Sequence, residues 1–275
     1  MSRKYQWSYL YLVAVFAVLY APIAYLIFYS FNSGGNMHTF EGFTLDWYKE
    51  VFQDTRLLII VLNTAAVALL SSAISTIIGI FGAMFIHNIR KTRMRSTVLT
   101  LNNVLIVSSD VVIGASFLIL FTMLGISLGF YSVLLSHIAF SIPIAVLMIL
   151  PKLQEMSPTL VDAARDLGAN RMNVLSKVIL PMIRPGIFSA FFMGLTYSLD
   201  DFAVTFFVTG SGFSTLSVEI YSRAKQGISP SINALSTLIF LVTLVLVLGY
   251  YYTQRRRTLA ARAARAAQAG GELGQ

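Results

Sequence analysis

The feature that most constrains this chain is the spacing of its apolar runs. Six segments long enough to cross a bilayer follow one another up to Tyr252, with no soluble block between them. A transmembrane helix needs about 20 predominantly apolar residues, because the hydrocarbon core is roughly 30 Å thick and a helix rises about 1.5 Å per residue. The runs predict spans at Tyr9–Phe31, Leu57–Ile86, Val98–Leu124, Phe130–Leu150, Ile187–Val208 and Ile232–Tyr252. The second is long enough to tilt. Apolar residues make up 56% of the chain and charged residues 12%, against about 45–50% and about 25% in a soluble domain. Residues 1–275 are therefore expected to form one all-α integral membrane domain, since a helix satisfies its own backbone in lipid.

The basic residues set the orientation. Arg3 and Lys4 precede the first span, Arg90, Lys91, Arg93 and Arg95 follow the second, and Lys152, Arg165, Arg171, Lys177 and Arg184 follow the fourth. Arg255, Arg256, Arg257, Arg262 and Arg265 follow the sixth, so that 16 of the 20 lie on one face. Only Lys49, Arg56, Arg223 and Lys225 remain on the other. Both termini are expected to be cytoplasmic, with 32–56 and 209–231 facing outward. The net charge of +8 is then a membrane-topology signal, and nucleic acid is not expected as a partner. The first run is too long for the apolar region of a cleavable signal and is expected to stay as an anchor. The alanine-rich stretch of the tail 253–275 suggests a short helix on the membrane surface.

The connection Pro151–Pro185 reads as two short helices. Ser157 is a good N-cap and Pro158 a good first helical residue. Leu160, Ala163, Ala164 and Leu167 recur at i, i+3, i+4 and i+7, giving a small apolar face, and Gly168 supplies a left-handed stop. A second start follows at Asn170. An ordinary amphipathic surface helix joining two spans is the competing reading of this pattern.

Asp162-Ala163-Ala164, then Gly168, then Val178, Leu180 and Pro181, closely resembles the EAA loop of ABC importer permeases. The acid is aspartate here where that family has glutamate. Gly42-Phe43-Thr44 with Trp47-Tyr48, Leu199-Asp200-Asp201 with Phe207-Val208-Thr209-Gly210, and Gly227-Ile228-Ser229-Pro230 with Asn233-Ala234-Leu235 resemble the PotC-type spermidine/putrescine permeases in particular. Ser109 stands before Asp110, where the family often has proline. The resemblance implies a multi-pass permease of the bacterial inner membrane with six transmembrane helices of the type I importer architecture. It also implies a second permease subunit, a dimer of ATPase subunits carrying ATP and Mg, and an external substrate-binding protein. Leu160, Asp162, Ala163, Ala164, Leu167, Gly168, Leu180 and Pro181 would couple the spans to the ATPase, and no cofactor is expected in this chain.

Asp110, Asp200 and Asp201 fall inside predicted spans, where a carboxylate near the bilayer centre costs roughly 2.5–3.5 kcal/mol on insertion scales. They must face protein or water. An acidic path would suit a cation with spaced ammonium groups, which need counter-charges once water is stripped away. Tyr197 and Phe202, among the aromatics of the fifth span, could hold its methylene stem and add cation–π attraction. The alternative for Asp200 or Asp201 is capping of a restarted helix at a buried interruption. Adjacent helical residues point about 100° apart, so one of the pair can line the path while the other is structural.

Other chemistry is missing. There is no cysteine and no G-x-x-x-x-G-K-[ST] loop, so ATP hydrolysis belongs to another subunit. His38, His87 and His137 lie on separate segments and read as interfacial or packed residues; no metal site is expected. Gly210-Ser211-Gly212 reads as a turn, because no partner histidine accompanies the serine. An ABC permease for another cationic or small organic solute is the main alternative. A stand-alone channel or secondary carrier comes after it, and an intramembrane aspartyl enzyme would need a motif that neither Asp110 nor Asp200 carries.

Overall fold

The computed structural model describes residues 3–35, 37–226, 230–241 and 244–245. Among them the secondary structure is helical apart from one isolated bridge between Asn32 and Phe43. The chain divides into two compact units, Met1–Asp54 with Arg223–Gln275, and Thr55–Ser222.

In the first unit, α1 (Arg3–Tyr29) leads to α2 (Asp46–Gln53) through a loop built around Asn32. No residue of the apolar stretch Tyr9–Tyr29 is buried. Asn32 is fully buried because its side chain replaces missing backbone partners. Its amide donates to the Thr39 carbonyl at 2.8 Å, and its carbonyl oxygen accepts from the Glu41 backbone N–H at 2.8 Å. The Trp47 indole donates to the Asn32 carbonyl at 2.7 Å. Asp46 opens α2, where its carboxyl is held below the usual carboxylate range, first by the Thr44 hydroxyl and then by Lys49.

The larger unit holds α3 (Thr55–Asn88), α4 (Thr92–Val107), α5 (Asp110–Met123), α6 (Phe130–Gln154), α7 (Pro158–Asp166), α8 (Arg171–Val174), α9 (Leu180–Asp200), α10 (Ala203–Val208) and most of α11 (Leu216–Gln226). Lipid tails are as apolar as leucine, so close packing of small residues carries helix association. The buried stripe of α3 accordingly runs Thr64, Ala68, Ser71, Ser72, Ser75, Gly79, Ala83. A Cβ on Gly79 would stand 2.5 Å from the Ala145 Cβ of α6, and one on Gly186 of α9 would stand 3.1 Å from the Met148 carbonyl. Two of the α3 hydroxyls are satisfied within the helix: Thr64 donates to the Ile60 carbonyl at 2.8 Å and Ser72 to that of Ala68 at 2.6 Å. Ala83, Ile86, Ala145, Ile149, Leu153 and Ile183 form one apolar core among α3, α6 and α9. Val67, Ile113, Phe121, Val133, Phe140, Val204 and Val208 form a second with α5 and α10.

The expected spans change in four places. The third is not continuous: α4 and α5 meet at an angle of 101°. Ser108 and Ser109 are extended there (ψ 147° and 134°), and Asp110 opens the first turn of α5, where the helix dipole favours a carboxylate. The fifth is interrupted as well, because α9 stops at Asp200, Asp201 is extended (ψ 121°), and α10 restarts at Ala203. At its other end this span begins earlier than Ile187. A π turn (Leu175–Ile179) joins α8 to α9, and the apolar run extends over Arg171–Asp200. The Leu180 N–H reaches back to the Leu175 carbonyl, and this wider turn precedes Pro181, which has no N–H and crowds the carbonyl four residues back. Leu180 and Pro181 therefore form the foot of α9. The fourth span runs through Pro151 to Gln154, which shortens the connection expected from 151 to 185. Of the sixth, α12 (Pro230–Leu241) is described; its expected end at Tyr252 and the tail 253–275 lie outside the described residues.

Candidate functional site

The interruption between α9 and α10 is the polar centre of the larger unit. Asp201 turns inward, and its side chain is almost wholly buried. One carboxylate oxygen accepts from the Thr205 backbone N–H at 2.8 Å and from the Thr205 hydroxyl at 2.7 Å, and the other from the Val204 N–H at 3.3 Å. This is an N-terminal cap of α10, satisfying donors that the new helix would leave orphaned. The Asp201 carbonyl accepts from the Ser217 hydroxyl at 2.6 Å. Asp200, one residue away, is exposed at the end of α9.

His137 of α6, 1% exposed, bridges the interruption. Its Nδ1 lies 2.6 Å from the Ser198 hydroxyl of α9 and its Nε2 2.8 Å from the Thr205 hydroxyl of α10, with the Asp201 carboxylate 3.4 Å away. Ser71 of α3 reaches the Ser198 hydroxyl at 3.2 Å. Four helices thus share one hydrogen-bonded network, although its members lie far apart in the chain.

Asp110 and Tyr197, both expected along a substrate path, meet: the phenol donates to the Asp110 carboxylate at 2.9 Å. Asp110 is half-buried and Tyr197 is 38% exposed. The Tyr197 ring packs edge-on against Phe140 at 5.2 Å, and Phe140 lies 4.9 Å from the His137 imidazole. Phe202 stands apart from this pair, against Tyr221 of α11 at 4.5 Å and Phe206 at 5.4 Å.

The loop helix α7 begins where the sequence places it, with Ser157 extended at the N-cap and Pro158 in the first turn. The Ser157 hydroxyl pairs with that of Thr159 at 2.7 Å and not with the backbone. At the other end Gly168 has φ +81°; its N–H donates to the Arg165 carbonyl at 2.8 Å, and that of Ala169 to the Ala164 carbonyl at 3.0 Å. These two bonds make the Schellman stop. Asn170 caps α8 through the Asn173 N–H at 2.8 Å. Leu160 and Leu167 are 44% and 89% exposed, and Ala163 and Asp162 are exposed as well. Val161 and Asp162 line a cleft of about 480 Å³ with Met84, Leu153 and Met156.

Sequence reasoning read His137 as packed, and Ser71, Ser198 and Thr205 were not singled out. Each is a single polar residue inside an apolar run, where serine and threonine commonly satisfy themselves on their own helix. The one local signal was the adjacent acids, which announced an interruption without saying which of them would cap it.

Bundled, interrupted apolar helices around a buried polar junction, with a separately capped loop helix whose apolar face is exposed, define a multi-pass membrane permease. Residues 75–258 match the family described as binding-protein-dependent transport system inner membrane component. The chain belongs to this family, the transmembrane subunits of ABC importers. It is 36% identical over 248 residues to the spermidine/putrescine transport system permease protein PotC of Escherichia coli (strain K12), covering 90% of this chain and 94% of the relative. It is 31% identical over 239 residues to the putrescine transport system permease protein PotI of the same strain, covering 85% of each. Among solved structures, a bacterial ABC transporter involved in the import of the acidic polysaccharide alginate superposes with a TM-score of 0.70 at 19% identity, covering 91% of this chain and 95% of the other. The inward-facing MetNI methionine ABC transporter gives 0.59 at 19% identity, covering 72% and 95%. At that identity these two likenesses show the fold alone.

Proposed function

We propose that this permease carries polyamines, with Asp110, Tyr197 and Asp200 as the groups of its path that meet the substrate. The observation that carries the reading is the Asp110–Tyr197 contact at 2.9 Å. It presents a carboxylate and an aromatic face together at partly exposed positions, the pairing that an alkyl diammonium requires. The ammonium finds its counter-charge, and the methylene stem lies against the ring. Asp200, exposed beside the interrupted helix, supplies a second counter-charge. Asp201 serves the cap and not the path. Phe202, packed on α11, shapes the same end of the helix. The similarity to spermidine/putrescine and putrescine permeases over 85–90% of the chain supports this substrate class.

In this reading the chain pairs with a second permease subunit in the bacterial inner membrane, both termini in the cytoplasm, and receives substrate from an external binding protein. ATP and Mg bind a dimer of partner ATPase subunits and not this chain. Leu160, Ala163 and Leu167, exposed on one face of α7 beside Ala164, dock on that ATPase together with Asp162, and the Gly168 stop fixes the direction in which the chain leaves the docked helix. Leu180 and Pro181, at the foot of α9, receive the movement. The test is uptake of labelled putrescine and spermidine by the assembled complex. Asp110→Asn and Asp200→Asn are nearly isosteric and should each lower uptake while the complex still assembles. Native uptake by both variants would refute the acidic path.

A further inference from the structure

A single buried imidazole is linked through a few contacts to Asp201, the neighbour of Asp200, and to Asp110. Toward the interruption, His137 touches Ser198 on one side and Thr205 on the other, and Thr205 holds Asp201, the neighbour of Asp200. Toward the membrane break at Ser108–Ser109, it packs on Phe140, which packs on Tyr197, whose phenol holds Asp110. The protons order themselves along the first branch. Thr205 donates its only hydroxyl hydrogen to Asp201, so it accepts from His137 Nε2–H; His137 Nδ1 pairs with the Ser198 hydroxyl, which accepts from Ser71. The network from α3 to α10 thus places a hydrogen on Nε2, facing Thr205.

We propose that His137 is a positioning residue of the transport path: by spanning the interruption between α9 and α10 and backing Phe140, it sets where Asp200, Tyr197 and Asp110 stand for the substrate. It does not touch the substrate, being 1% exposed. The two ring nitrogens suit the task, because one side chain meets both Ser198 and Thr205. The proposal rests on the polyamine reading for its uptake readout and on geometry alone for a second readout.

The test uses the complete complex with His137→Phe, which keeps a ring of similar size against Phe140 and removes both nitrogens. Ser198 can then turn its hydroxyl to its own helix, as Ser72 and Thr64 do, so little is left unsatisfied. The expected result is a rise in apparent KM for putrescine of about tenfold, equivalent to ~1.4 kcal/mol of misplacement, with a smaller change in maximal rate. His137→Gln, which can keep the contact toward Thr205 alone, should fall between native and Phe. Should His137→Phe fail to assemble, Ser198→Ala removes one end of the bridge and should raise KM in the same direction. A second readout needs no polyamine. The chain has no cysteine, so a single Phe206→Cys on the exposed side of α10 reports the restarted helix by its maleimide labelling rate, which should change several-fold when His137 becomes Phe. An unchanged KM, or a loss confined to maximal rate, would overturn the proposal. An unchanged labelling rate would overturn it even if the native complex carried no polyamine, in which case the substrate reading would fail separately.

Discussion

Replacing Gly168 isolates the coupling loop from the bundle, because a Cβ there meets nothing within 4 Å. The cost is conformational. With φ at +81°, a residue with a Cβ loses roughly 1–2 kcal/mol in the left-handed region, and a β-branched residue suffers most. Release from this conformation also gives up the two bonds of the stop, at 2.8 and 3.0 Å. These are solvent-exposed, so each adds at most about 0.5–1.5 kcal/mol. Gly168→Val should therefore unfix the end of α7 by about 2–3 kcal/mol, Gly168→Ala by about 1 kcal/mol, and Gly168→Asn by the least, since asparagine tolerates this region. The assay is substrate-stimulated ATP hydrolysis and uptake by the reconstituted complex. Both should fall in the order Asn, Ala, Val while membrane insertion and thermal melting of the bundle stay close to native. Normal stimulation and uptake in Gly168→Val would refute the reasoning that a fixed loop helix transmits ATPase closure.

Gly79→Ala makes the opposite kind of change, because the new Cβ lies 2.5 Å from Ala145; overpacking should cost about 1–3 kcal/mol and lower the melting temperature of the solubilised protein. Asp201→Ala strips α10 of its cap and should destabilise by about 1–3 kcal/mol, whereas Asp201→Asn keeps an acceptor for the backbone N–H groups and should cost less; equal melting of the two would count against the capping role. Single cysteines at Thr92 and Ser214 should label from opposite sides of intact cells, and labelling of both from outside would contradict the orientation.

The placement of the long apolar helices α1, α3, α6 and α9 was legible because apolar length is a bulk property that averaging over twenty residues preserves. The same averaging hides interruptions. Ser108–Ser109 and Asp201–Phe202 sit inside runs that remain apolar overall, and beside the local cap from Thr205 the breaks are held by tertiary contacts: His137 and Ser217 meet the break at Asp201, and Tyr197 arrives from another helix to hold Asp110. The loop helix was read nearly to the residue, since Ser157, Pro158, Gly168 and Asn170 act through local backbone geometry. Its lower boundary was missed at Leu180, where the π turn depends on how Pro181 is accommodated and not on an apolar pattern. His137 gave no local signal, because its partners lie 61 and 68 residues away.

The most direct measurement is labelled putrescine and spermidine uptake into proteoliposomes holding this permease with its partner permease, ATPase and binding protein. The account predicts accumulation that requires ATP hydrolysis and the ATPase subunits, and that falls when Asp110 or Asp200 is replaced by asparagine. Uptake sustained by the permease without any ATPase, or no uptake of either polyamine by the complete ATP-hydrolysing complex, would contradict it.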